Sequence, residues 1–197
     1  MGKAVLFHSP GFPSGAGAAR EKFEATGAGE ARVDGVGKTI ADRLAGAIDD
    51  GSISGTTAES VLFRSGGEHA RHILVVGLGE GKIEGEALRQ AAATACAGAK
   101  AAKAKSVAIA LDSIPRNSVG AEGVAQSIGE GFLLASYSFG EFKTGKKEDG
   151  VSSVQLVSTR PVKGYDTGLA TAEVIAECVN FSRWLGDRPG NRMTPTM

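Results

Sequence analysis

At 197 residues, with 22 basic residues against 22 acidic ones, the chain suits one large domain and carries no global field for nucleic acid or an anionic membrane. Its two cysteines, Cys96 and Cys178, form neither a C-x-x-C pair nor a disulfide framework, so both are expected as reduced, buried, inert thiols. The apolar run at residues 4–7 is too short for a signal-peptide core or a membrane span, and Leu6 stands where myristoylation needs Ser or Thr, so a soluble cytoplasmic protein is expected.

A short strand is predicted at residues 4–8, followed by a glycine-rich, weakly periodic stretch at 9–37 with a further short strand near 31–36. From Lys38 the periodicity becomes orderly: Ile40, Leu44, Ala47 and Ile48 recur at helical spacing until Gly51 ends the helix. ESVLFRS is short and apolar, and HILVVGLG reads as a buried strand, β-branched at Ile73, Val75 and Val76, with a glycine turn behind it. GEALRQAAATACAGAKAAKAK is a helix with Leu88, Ala91, Ala92, Ala95, Ala99 and Ala102 on one stripe and lysines at its C-terminal end.

A second buried strand is predicted at 106–112, then a helix facing inward through Val124, Ile128, Phe132 and Ala135. Gly129 and Gly131 inside that helix cost about 1 kcal/mol each against Ala, which predicts close approach of another backbone there. VSSVQLVS is a third strand, and a final helix runs from about Tyr165 to Leu185 with Leu169, Ala172, Ile175, Ala176, Val179 and Ser182 inward. Strands alternating with helices, and apolar on both faces, predict an α/β fold: a three-layer α/β/α domain with a central mixed, mostly parallel sheet and a long C-terminal helix.

No local motif assembles a catalytic constellation. Gly35-Val36-Gly37-Lys38-Thr39 resembles the end of a phosphate-binding loop, but Arg32 occupies the place of its first glycine, and a turn before a helix explains it better. Gly77, Gly79 and Gly81 lie between a strand and a helix at G-x-G-x-G rather than G-x-G-x-x-G spacing; they read first as a turn and, secondarily, as the chain's candidate cradle for an anion or ribose phosphate. His69 and His72 have H-x-x-H spacing, but on an extended segment their side chains alternate in direction, so no metal site is expected. Asp49 and Asp50 read as solvated residues of a turn, and no serine stands in a nucleophile elbow.

The closing segment NFSRWLGDRPGNRMTPTM carries the clearest signal. Asn180, Arg183, Leu185, Asp187, Pro189, Asn191, Thr194 and Pro195 fill the pattern N-x-x-R-x-L-x-N/D-x-P-x-N-x-x-T-P, by which the segment resembles that of the leucyl (cytosol) aminopeptidases. In the same order, residues 53–63 resemble that family's F-x-G-x-x-x-E stretch, RHILVVGLGE its R-V-L-L-V-G-L-G, EALRQAAATA its E-x-L-R-x-A-A helix, and GEGFLLASYSFGEFKT its E-G-x-x-L-A-x-Y-x-F-x-x-Y-K, with Phe142 in place of the second tyrosine.

The resemblance implies a macro-like N-terminal domain over residues 1–163, then a linker helix and connector over 164–197 toward a peptidase domain. It also implies a cytoplasmic homohexamer acting on peptides, with two divalent ions, zinc or manganese, activating water. The motifs that carry those metal ligands, G-K-G-x-x-x-D-S-G-G and N-T-D-A-E-G-R, do not occur in this sequence. The expected chain is therefore a non-catalytic domain, excised or truncated, with no cofactor of its own and no catalytic residue. Arg183, Asp187, Pro189 and Asn191 are expected to be structural, Arg183 suiting its own helix's C-terminus and Asp187 and Asn191 bonding turn amides. The alternative is a macro-like module binding ADP-ribose or a related phosphate at the Gly77–Gly81 turn; a DNA-binding role is disfavoured by the neutral charge.

Overall fold

A computed structural model describes residues 3–10 as backbone, and residues 46–47, 49–64, 70–80, 82–114, 119–142, 150–157 and 162–191. The strands are β1 (Lys3–Pro10), β2 (Ser60–Arg64), β3 (Ala70–Gly79), β4 (Ser106–Ala110) and β5 (Ser153–Val157). The helices are α1 (Gly85–Ala101), α2 (Ala121–Ser136) and α3 (Tyr165–Asp187), and a single 3-10 turn, Leu111–Ser113, follows β4. Of the helix expected to end at Gly51, Gly46, Ala47 and Asp49 are described and helical, and Gly51 terminates it at φ 76°. The strand expected near 31–36, the Gly35–Thr39 segment, His69 and Gly81 lie outside the described residues.

The sheet order is β2-β3-β1-β4-β5. β2 with β3, β3 with β1, and β1 with β4 pair antiparallel; β4 with β5 is the parallel pair. The sheet is mixed, as expected, but it is not mostly parallel. Two physical reasons account for the difference. The link between β2 and β3 is too short for a crossover, which takes a dozen or more residues, so those strands must form a hairpin. β1 then inserts between β3 and β4 and runs against both. β3-α1-β4 is thus a parallel crossover unit whose two strands are held apart by an antiparallel one. Apolar, β-branched composition records that a strand is buried, not the direction of its neighbours.

Alternation along β3 builds the core. Leu74, Val76 and Leu78 join Leu88, Ala92, Ala95 and Cys96 of α1 in one buried cluster, which continues into Val107 and Ile109 of β4 and Val124, Ile128 and Phe132 of α2. Complete burial of a side chain such as Leu88 or Ile109 is worth about 1.5–3 kcal/mol. Ile73 and Val75, pointing the other way from β3, are buried too, so both faces of this strand are covered. β5 differs: Ser153, Val154 and Gln155 are exposed, as suits an edge strand.

The helices stack in sequence, α1 on β3, α2 on α1 and α3 on α2. Small residues make the last two contacts possible. A Cβ at Gly131 would overlap the backbone of Arg89 in α1, and one at Gly168 would overlap the Glu122 carbonyl in α2, so each glycine is the point where two helix backbones approach. At Gly131 this is the close backbone approach predicted, whereas Gly129 faces the side chains of Ala172 and Leu169 in α3. The inward face of α3 is Gly168, Ala172 and Ala176. Ile175, Val179 and Ser182, expected inward, are instead on the exposed side, because the close crossing of α2 selects small residues rather than apolar ones. Cys96 is buried as expected, whereas Cys178, on the outer side of α3, is exposed.

Candidate functional site

Three groups of polar side chains tie the elements together. The first surrounds the glycines of β3. The Gly77 N–H donates to the Glu59 carbonyl at 2.8 Å, the Gly77 carbonyl accepts from Ala58 at 3.1 Å, and the Gly79 N–H donates to the Gly55 carbonyl at 2.9 Å. A side chain at Gly77 would strike the backbone of Gly55 and Thr56, and Gly79 has φ 80°. These two glycines therefore dock the 54–59 loop, and their amides are engaged in doing so. In that loop the N–H groups of Ser54, Gly55 and Thr56 all donate to the Glu59 carboxylate, the shortest at 2.7 Å, and the Ser54 hydroxyl adds a fourth bond at 2.9 Å. Successive backbone amides make an anion-binding concavity, and here the anion is the chain's own. Hydrogen bonds from Ser54, before all other causes, hold the Glu59 carboxyl below its ordinary value.

The second group joins α1 to α2. Arg89 Nε donates to Glu130 Oε2 at 2.5 Å, and Gln126 Nε2 donates to Glu130 Oε1 at 2.7 Å. Glu130 is 7% exposed against 37% for Arg89. Burial pushes the Glu130 carboxyl up, but the bonds from Gln126 and Arg89 and the charge of Arg89 outweigh it, so the group stays ionised below the usual carboxylate range.

The third group lies where α2 and α3 end. A helix leaves its last four carbonyls without partners, and at α2 all four are met by side chains. Leu133 O accepts from Asn180 Nδ2 at 3.3 Å and from Ser136 Oγ at 2.7 Å; Leu134 O accepts from Arg183 Nη1 at 2.9 Å. Lys100 Nζ, reaching over from α1, serves Ala135 O at 2.8 Å and Ser136 O at 3.3 Å. Two cations thus sit at the negative end of the α2 dipole, each worth about 0.3–1 kcal/mol. Arg183 caps α2 and not its own helix, a correction to the sequence-based expectation that a contact across the helix pair explains.

Beyond the cap, Tyr137 donates its hydroxyl to Asp187 Oδ2 at 2.7 Å, which replaces the turn amides expected as the partner of Asp187. Loss of hydration, then the bond to and charge of Asp187, partly offset by Arg183, push the Tyr137 phenol up to about 12. Arg188 forks onto Glu141 with bonds of 2.6 and 3.1 Å and lies 3.8 Å from the centre of the Trp184 ring. The exit of α3 is clamped to the exit of α2.

None of these groups is arranged for bond cleavage. Asp50 accepts from the Ser52 N–H at 2.9 Å, as a turn residue does, and His72 lies in β3 opposite Arg64 of β2. Among the described residues no three His, Cys, Asp or Glu side chains converge so as to hold a metal ion. Among them too, no helix is long and apolar enough to cross a membrane.

The family model described as cytosol aminopeptidase family, N-terminal domain, matches residues 21–146 of the chain. The chain belongs to the cytosol aminopeptidase family. A probable cytosol aminopeptidase of Bdellovibrio bacteriovorus is 38% identical over 156 residues, covering 76% of this chain and 31% of that protein. One from Roseiflexus castenholzii is 32% identical over 154 residues, with 75% and 31% covered. In fold the chain is similar to a mutant of tomato leucine aminopeptidase, with a TM-score of 0.66 and 24% identity over 80% of this chain and 31% of the other. It is similar also to the bottromycin maturation enzyme BotP, whose structure is a complex with Mn, at a TM-score of 0.63 and 22% identity, covering 77% of this chain and 30% of that one. The chain thus spans about a third of the length of the relatives it matches.

Against this cytosol aminopeptidase background the three groups gain meaning. Gly55, Glu59, Gly77, Gly79, Arg89, Glu130, Gly131, Tyr137, Asn180, Arg183 and Asp187 are positions at which the sequence resembles the family, and every one of them makes a tie described above. Sequence reasoning recognised these residues by pattern and missed their pairings, since partners such as Arg89 and Glu130, or Leu134 and Arg183, lie far apart in the chain.

Proposed function

We propose that this chain is the non-catalytic N-terminal domain of a leucyl-aminopeptidase-like metallopeptidase, serving oligomer assembly and access to active sites that lie elsewhere. The observation that carries the reading is that family-pattern residues such as Gly77, Arg89, Glu130 and Arg183 are engaged in ties between elements, in a chain matching 31% of its relatives' length. The parent activity is the release of N-terminal amino acids from peptides in a cytoplasmic hexamer. Residues 1–163 form a macro-like three-layer domain and 164–197 the connector; the start of α3 at Tyr165 and the burial of both faces of β3 support that division and layering. The family's two divalent ions, zinc or manganese, do not fit the described residues, which offer no donor set for them, and belong to the part of the relatives beyond this match. Purified chain incubated with leucine p-nitroanilide and manganese is expected to show no turnover above a metal-free blank. Metal-dependent release of nitroaniline would overturn the reading.

A further inference from the structure

The end of β3 is closed by a loop that one side chain holds in shape. β2 pairs with β3 from Arg64, opposite His72, to Ser60, opposite Val76. Past Val76 the 54–59 loop takes the place of β2: the Gly77 N–H donates to the Glu59 carbonyl, the Gly77 carbonyl accepts from Ala58, and the Gly79 N–H donates to the Gly55 carbonyl. The loop meets these groups in a backbone shape that is unfavourable on its own. Ala58 stands at φ 64°, left-handed despite its Cβ, and Gly55 at φ 76°. Against that cost stands the Glu59 side chain, which turns back over the loop. Its Oε2 accepts from the N–H groups of Ser54, Gly55 and Thr56 at 3.0, 2.7 and 3.1 Å and from the Ser54 hydroxyl at 2.9 Å. Among the described residues no cation pairs with it, so the loop's own donors carry the whole interaction. Hydrogen bonds to an ionised acceptor are roughly twice as strong as neutral ones, so the arrangement depends on the charge.

We propose that residues 54–59 are a carboxylate-locked latch: with Glu59 ionised the loop lies closed on the end of β3, and with that charge removed it opens and leaves the Gly77 and Gly79 backbone groups to water. The opening is local, because Ile73, Leu74, Val75 and Val76, earlier in β3, are buried in the core. Other titratable groups do not stand in for Glu59. Asp50 is bonded to the Ser52 N–H, Glu80 follows Gly79, and Arg64 and His72 lie at the far end of the β2–β3 pairing. The lowering of the Glu59 carboxyl comes from hydrogen bonds, those of Ser54 first, and from no neighbouring charge. The sign follows from that direction: the closed loop is fully favoured above the ordinary carboxylate value and is lost as pH falls through the lower folded value. The latch is a property of this chain's own fold and holds whether or not the chain hydrolyses peptides.

Amide hydrogen exchange of the purified chain, read residue by residue by NMR and corrected for the intrinsic rate at each pH, tests the proposal. Glu59→Gln, which keeps the size and removes the charge, is expected at neutral pH to lower the protection of Ala58, Gly77 and Gly79 at least about tenfold while Val75 and Val76 keep theirs. In the unmodified chain the same amides lose protection as pH falls, with a midpoint that coincides with the titration of the Glu59 carboxyl carbon, and Glu59→Gln shows no such step. Gly77 and Gly79 as well protected in Glu59→Gln as in the unmodified chain would overturn the latch. So would an acid step that persists in the variant, or a loss shared equally by Val75 and Val76, which would make Glu59 a support of the whole fold. Turnover of leucine p-nitroanilide by the chain would sink the non-catalytic reading and leave these exchange results standing.

Discussion

Replacing Arg89 by Leu removes one side of the pair that joins α1 to α2 and leaves the Glu130 carboxylate, 7% exposed, with Gln126 as its described partner. Breaking a buried ion pair by deleting one partner costs about 3–5 kcal/mol. Arg89 is itself 37% exposed, so water reaches the vacated side and the cost falls to about 2–3 kcal/mol. For a chain of this length that lowers the melting temperature by about 5–10 °C. Urea denaturation of Arg89→Leu, Glu130→Leu and the double variant supplies the assay. The double variant, which buries no charge, is expected to be more stable than Arg89→Leu alone. The pH dependence has a definite sign. The folded pKa of Glu130 is lowered, so its contribution is complete above the ordinary carboxylate value and is lost as pH falls through the folded one. The gap between the unmodified chain and Arg89→Leu therefore narrows in acid. A single variant within about 0.5 kcal/mol of the unmodified chain, or a double variant costing the sum of the singles, would refute the reasoning.

Gly131→Ala and Gly186→Ala are expected to act in opposite directions although both glycines are helical. The first drives a methyl into the Arg89 backbone and costs about 1–3 kcal/mol, while the second meets open space and gains up to about 1 kcal/mol of helix propensity; equal signs in thermal melts would contradict the close crossing. Tyr137 is expected to ionise near 12, with its contribution present below about pH 10 and lost as pH rises through 12. Asp187→Asn brings that titration toward the ordinary tyrosine value, and a resolved Tyr137 signal that ionises at the ordinary value in the unmodified chain would remove the Tyr137–Asp187 bond from the clamp.

The elements were legible because hydrophobic period is a local property. Leu88, Ala91, Ala92, Ala95 and Ala99 repeat as a helix must, and each is buried in α1. Strand direction was legible for β2 and β3, whose short link demands a hairpin, but not for the rest, because the insertion of β1 between β3 and β4 is decided by residues that sequence separates widely. Nor was the inner face of α3: Ala176 and Ile175 are consecutive, about 100° apart around the helix, and it is the approach of α2 at Gly168 that turns the smaller one inward. For the candidate site, pattern marked Glu59, Arg89, Glu130 and Arg183 correctly as family positions. Their chemistry stayed hidden because a carboxylate held by three amides and a guanidinium capping another helix have no signature in spacing alone.

These ties form one continuous mechanical path. The Glu59 loop is bonded to β3 through Gly77 and Gly79, β3 is packed under α1, and α1 is locked to α2 by Gly131 and the Arg89–Glu130 pair. α2 is in turn locked to α3 by Gly168 and by Asn180 and Arg183 on its last carbonyls. Loosening any step strands a buried polar group or opens a helix contact, so the direction in which α3 leaves the sheet is set several times over. Folding alone asks for less, since the apolar cluster around Leu88 and Ile109 already supplies a core. What the additional ties secure is orientation, and orientation at the end of α3 is what the proposed role of this domain requires.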